Sequence, residues 1–239
     1  MKNTRFCLTF LIILLFTLNI RAQEVLMNEE VKDEKERLQE GPNLEKFWHP
    51  YISFGLITDF DESAGARINL GRSWYFQLGY RQKYKISEYF SLGYDLSYSY
   101  KTYNLTQENE KIFPTDSLYN KEKINFNNFG LELYTRFNFS KRGDQLGTYL
   151  DIGPYINWAF NVKNVIKQND FPIDNLANQK IITYKRLQYT RNYNYGLRGR
   201  LGFRKYIIFG EYRLSNIIQQ DFQYPELPRL TLGLQFAIY

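Results

Sequence analysis

The chain has 239 residues, a formal net charge of +6, aromatics at 18% and one cysteine among a mildly polar average composition. That cysteine, Cys7, lies within the first ten residues, so a chain cut after Ala22 has no disulfide and no thiol chemistry. Tyrosine supplies 21 of the aromatics and suits surfaces where one end of the ring is apolar and the other wet.

In chain order, MKNTR is followed by FCLTFLIILLFTLNI and then RAQ. A basic start, an apolar run of about 15 residues and a small residue at the cut predict a secretory signal peptide over 1–22, because a spanning helix needs roughly 20 apolar residues. The leader carries three bases and no acid, and residues 23–46 carry eight acids and four bases, so the basic excess sits in the rest of the chain. Residues 23–47 read as an acidic periplasmic tail, with Gly41-Pro42-Asn43 breaking any helix. An exported chain seldom meets nucleic acid, so the basic balance is assigned to internal pairs and lipid headgroups.

From Trp48 onward the pattern has period two, the signature of strands with one apolar and one polar face. Eight segments are predicted: 51–60, 74–86, 89–103, 124–139, 148–162, 187–203, 206–215 and 229–239. In the third, Phe90, Leu92, Tyr94, Leu96, Tyr98 and Tyr100 oppose Ser91, Gly93, Asp95, Ser97, Ser99 and Lys101. In the fifth, Pro154 removes a ladder hydrogen bond, which predicts a bulge there. The connections alternate between long and short: Ser87-Glu88, 141–146 and Arg204-Lys205 are short, whereas 61–73, 104–123, 163–186 and 218–228 are long. Long loops on one rim and short turns with both termini on the other are the layout of an outer-membrane barrel.

A soluble sandwich or lipocalin-like barrel also alternates. It keeps its polar face outside, however, and here the polar face is rich in Gly, Ser and Asn mixed with charge, suited to a cramped lumen. Bulky aromatics fall near both strand ends of the apolar face: Trp74, Tyr98, Tyr100, Trp158 and Tyr189 toward the loops, and Tyr84, Phe90, Phe137 and Phe203 toward the turns. These predict interfacial girdles. The fold class is therefore all-β, an eight-stranded antiparallel up-and-down transmembrane β-barrel over 48–239, with closure compelled because a sheet edge in lipid leaves backbone groups unpaired.

With eight such strands, a leader ending in Ala22-Gln23 and a terminal LTLGLQFAIY, the chain resembles the small outer-membrane β-barrel families. It looks most like the PorT-like or outer membrane protein β-barrel domain group, of OmpA/OmpX-type architecture. The resemblance implies a bacterial outer-membrane location and, for a PorT-like protein, a part in a secretion machine, although no residue here carries that role across. Tyr239 departs from the group, having the opposite parity to Phe236.

The polar face predicts a lumen charge network of Arg81, Lys83, Asp95, Glu132, Arg136, Asp151, Arg198, Arg200, Glu211 and Arg213. An eight-stranded lumen is just wide enough for its own side chains, so the network reads as filling rather than as a conduit. No catalytic, metal-binding or cofactor-binding residues are predicted. His49, the one histidine, reads as an interfacial residue at the turn rim, and GLRGRLG as strand glycines rather than a phosphate loop. The expected role is non-enzymatic: structural, or binding through the long loops, whose Phe113-Pro114 and Phe171-Pro172 pairs would pin the tips. The alternatives are a narrow pore or secretion component, and then a lipid-modifying enzyme. The expected partners of this monomer are outer-membrane lipid and, through the loops, periplasmic or secretion-system proteins or extracellular ligands.

Overall fold

The structure, a computed structural model, describes residues 41–58, 65–140, 146–169 and 179–239. The predicted leader, nearly all of the acidic tail, the 141–145 turn and the Phe171-Pro172 pair lie outside the described residues.

Among the described residues nine strands run β1 (Lys46–Thr58), β2 (Trp74–Lys85), β3 (Phe90–Leu105), β4 (Lys121–Asn138), β5 (Thr148–Gln168), β6 (Lys180–Lys185), β7 (Tyr193–Phe203), β8 (Tyr206–Arg213) and β9 (Leu230–Ala237). Eight of them close a barrel: each strand pairs antiparallel with its neighbours, β4 pairs with β5, β5 with β7, and β9 returns to β1 with Tyr51 opposite Ala237. The ninth, β6, pairs only with the far end of β5 and stands outside the ring. Closure leaves no open sheet edge along the barrel strands, as a hydrocarbon environment demands.

The alternation resolves as expected through the membrane belt. Phe54, Leu78, Leu96, Leu131, Leu133, Ile152, Leu201, Ile208 and Leu234 are exposed on the outside, while their strand neighbours are buried inside. Along β5 the outward apolar run extends from Leu150 to Phe160. Ten residue steps at the usual rise and a barrel tilt of roughly 40° span about 25 Å, the height of an outer-membrane apolar band. Trp74 packs against Tyr100 near the loop rim, and Phe90 meets Phe137 near the turn rim.

Four expectations need correction. The bulge in β5 lies not at Pro154 but near Phe160: the register passes smoothly from Glu132↔Tyr155 to Thr135↔Ile152 and shifts between Asn127↔Asn161 and Asn128↔Ala159. Pro154 faces lipid within an unbroken register, whereas the extra residue near Phe160 marks where β5 leaves the belt. Second, the predicted segment 187–203 begins as strand only at Tyr193, because Arg186 adopts a left-handed backbone (φ 55°) that turns the chain out of the ladder after β6. Third, Tyr189 is not in the girdle. It packs over the barrel mouth against Phe113 and Tyr224, with ring centroids 5.4 and 5.9 Å away. Fourth, both ends of the loop read as 104–123 and about half of the loop read as 163–186 are strand, in β3, β4, β5 and β6.

That last difference has a physical cause. Past the lipid the sheet reverts to the logic of a soluble protein, with apolar groups inward and charge outward. In the outer ends of β4 and β5, Ile124, Phe126, Val162 and Ile166 are buried, and Lys121, Lys123, Lys163 and Lys167 take the other face.

Candidate functional site

The lumen is built by side chains of one parity from all eight barrel strands. Six strand tyrosines share that parity; Tyr103, opposite Ile124, stands toward the loops, and the other five lie deeper. Tyr51, Tyr75, Tyr134, Tyr149 and Tyr155 are all buried, and each lies directly across from a glycine: Gly79, Gly55, Gly93, Gly202 and Gly196 respectively. The pairing is steric. A Cβ on Gly79 would come within 2.4 Å of the Tyr51 ring, and one on Gly202 within 2.1 Å of Tyr149; at these, and at Gly93 and Gly196, the missing side chain is the space the tyrosine occupies, whereas a Cβ on Gly55 would meet the Leu232 carbonyl and Phe209 instead. The rings in turn meet cations. The Arg136 guanidinium carbon stands 3.6 Å from the Tyr149 centroid, Arg81 4.9 Å from Tyr51, Arg198 5.1 Å from Tyr155 and the Lys101 ammonium 5.0 Å from Tyr75.

Around these rings runs one continuous chain of alternating charge. Arg136 donates from Nε and Nη2 to the two Asp151 oxygens at 2.7 and 2.8 Å, a bidentate fork. Asp151 lies 3.7 Å from Arg81, which donates to Asp95 at 3.1 Å, and Asp95 lies 3.6 Å from Arg200. Arg200 and Arg198 share the Glu132 carboxylate; Arg198 and Lys101 share that of Glu211. Tyr51 donates its hydroxyl to the remaining Asp95 oxygen at 2.7 Å, and Arg81 donates to Gln235 at 3.2 Å. Five cations and four carboxylates thus form a chain of nine members joined by eight contacts. The cations stand at both ends, and every member is almost wholly removed from solvent. Buried ions are tolerated when paired in this way, and Arg is the residue whose geometry permits two carboxylate partners at once.

Two of the predicted network residues lie elsewhere. Lys83 sits near the turn rim, donating to the Pro42 carbonyl at 2.6 Å over the Phe47 ring. Arg213 lies at the loop rim, where it donates to Glu226 at 2.9 Å and to the Ser215 and Leu227 carbonyls, while Glu226 accepts the backbone N–H groups of Ile217 and Ile218. This clamp ties the last long loop to β8. Sequence reasoning missed Glu226 because it belongs to a loop with no period. The inward tyrosines went unassigned because a period-two count sees only one strand, and their glycine partners are on the next.

Apolar clusters stand at both ends of the charged chain. Toward the turns, Phe47, Leu146, Tyr149, Ile207 and Ala237 form a floor. His49 belongs to it: it is not an interfacial residue but points inward, stacked 5.0 Å from Phe47 and edge-on 5.8 Å from Tyr239. Toward the loops, Ile57, Tyr103, Phe113, Phe126, Val162, Ile218 and Leu227 belong to a larger cap, against which Tyr189 and Tyr224 pack. Phe113 is completely buried there, so the first Phe-Pro pair contributes a cap residue rather than a free loop tip. Burial, with the Glu122 carboxylate nearby, pushes the Tyr189 phenol up from its ordinary value. Among the described residues, no group of His, Cys, Asp and Glu side chains is arranged to hold a metal ion.

A closed antiparallel sheet with its oily side chains outside and its ions paired within defines an integral barrel of the outer-membrane class. Residues 42–234 match the family model described as outer membrane protein beta-barrel domain, and the chain belongs to that family. No curated protein matches it.

Proposed function

We propose that the protein is a non-enzymatic element of the bacterial outer membrane, whose lumen is a structural plug and whose loop rim makes its contacts. The observation that carries this reading is the nine-membered ion chain lying between an apolar floor and an apolar cap. A water-filled conduit leaves charges solvated and unevenly paired. Here each carboxylate is shared by two cations, and an ion crossing the barrel would have to shed its water at both clusters. The non-enzymatic reading agrees with the place of the chain's one histidine, His49, which packs against Phe47 and Tyr239 in the floor. The loop rim, by contrast, is held rigidly by the Arg213–Glu226 clamp and the cap, the kind of scaffold on which loops recognise partners.

Planar-bilayer recording tests the reading. The purified barrel should show no stable conductance steps above the lipid baseline. Regular openings of wild-type protein would overturn it and turn attention to a pore or a secretion component.

A further inference from the structure

Beyond the lipid belt, β4, β5 and β6 continue as a three-stranded extension whose two faces are chemically opposite. The inner face carries Glu122, Ile124, Phe126, Val162, Asn164 and Ile166, all buried. The outer face carries Lys121, Lys123, Lys163, Lys167 and Lys185. Register brings like charges opposite one another: Lys121 pairs with Lys167, and Lys163 with Lys185. Such pairs repel and destabilise a sheet unless something anionic neutralises them. The single acid in these paired stretches does not do so. Glu122 is turned inward, where Lys111 holds it at 2.6 Å and Asn164 donates to it at 2.8 Å. None of the five outer lysines has a carboxylate partner among the described residues. Burial, and then the ammonium groups of Lys121 and Lys167, hold Lys123 below its ordinary value, as expected of a crowded cationic face.

The height of this face identifies what would meet it. Phe160 is the last exposed apolar residue of β5; Lys163 and Lys167 follow three and seven residues later, with the half-buried Val165 between them. At the rise of a tilted strand they stand roughly 8 and 18 Å above the edge of the hydrocarbon, at the level of outer-leaflet headgroups. A notch of about 510 Å³ joins the two zones, with Trp158 and Phe160 among its lining residues on the apolar side and Lys185 and Arg186 on the basic side. No acid lines it.

We infer that the outer face of the β4–β5–β6 extension, with the notch beneath it, binds the phosphorylated headgroup of an outer-leaflet glycolipid. The lysines neutralise its phosphates and the aromatic pair lies against the upper part of its acyl chains. This reading depends on the barrel standing in a membrane and not on whether its lumen is sealed.

The test is glycolipid retention, measured by native mass spectrometry of the full-length barrel extracted from nanodiscs of phosphatidylcholine with 10% lipid A, about one glycolipid in ten by design. Wild type should retain lipid A at least about tenfold better than its dephosphorylated form, in line with loss of several charge-assisted contacts. The variant K121Q/K123Q/K163Q/K167Q/K185Q should lose that preference while keeping its heat-modifiable gel shift, and K46Q/K205Q at the opposite rim should keep it. Equal retention by the five-glutamine variant, or equal loss in the turn-rim variant, would overturn the inference. So would displacement of lipid A by a soluble acidic polysaccharide, which would make the face a glycan site instead.

Discussion

Replacing Glu132 with alanine is expected to cost about 3–5 kcal/mol, the usual penalty for removing one partner of a buried ion pair. For a barrel of this length that corresponds to a fall of roughly 10 °C in unfolding temperature. The size follows from the position of Glu132 in the chain of charge. It is the sole link between Arg200 and Arg198, so its loss leaves Asp95, 3.6 Å away, as the one carboxylate near Arg200 and Glu211 as the one near Arg198 among the described residues. Water cannot readily replace it, because the apolar floor and cap stand on either side. The comparison is Glu108→Ala, which removes an exposed partner of Arg67 at 3.7 Å and should cost less than about 1 kcal/mol. Urea unfolding followed by tryptophan fluorescence checks both. Equal costs for the two variants would mean that the lumen ions are solvated and that the interior is not the closed network described above.

Gly79→Val is expected to be comparably damaging, for a steric reason. The added side chain would occupy the place of the Tyr51 ring, and moving that ring breaks the hydroxyl contact with Asp95. Overpacking of a filled interior costs about 1–3 kcal/mol, and a lost hydrogen bond to an ionised group about 1.5–3 more. Because one clash produces both losses, Tyr51→Ala should relieve much of the damage. The double variant Gly79→Val/Tyr51→Ala should then be more stable than the sum of the single effects by over about 1 kcal/mol. Additive effects would show that glycine and tyrosine act independently and that the lumen packs differently.

The two variants also mark what could be read from the chain before its structure. The charges were legible because each strand alternates on its own. Asp95 lies between Tyr94 and Leu96, and Glu132 between Leu131 and Leu133, so parity alone sends them inward. Which cation meets which carboxylate was not legible, since Arg200 reaches Glu132 across 68 positions in the chain. The tyrosines were obscured by their own chemistry. Tyr94 and Tyr98 face outward as girdle-type residues do, while Tyr134 and Tyr149 face inward, and only the glycine opposite distinguishes the second kind. The extension of β4 and β5 was hidden because apolar and charged faces exchange roles above the lipid. Phe129 points out and Phe126 points in, three residues apart on the same strand. The cap residues Phe113 and Leu227 come from loops, where no periodicity exists to follow.

The claim on which the rest depends is that the outward residues touch hydrocarbon. Leu133, near the middle of the belt and 60% exposed, is the position to examine. A Leu133→Cys variant carrying a fluorophore, reconstituted in vesicles whose lipids bear bromine at defined acyl depths, should be quenched most strongly by bromines near the bilayer centre and hardly at all by aqueous iodide. Strong iodide quenching with no response to brominated lipid would place that face in water and contradict the account.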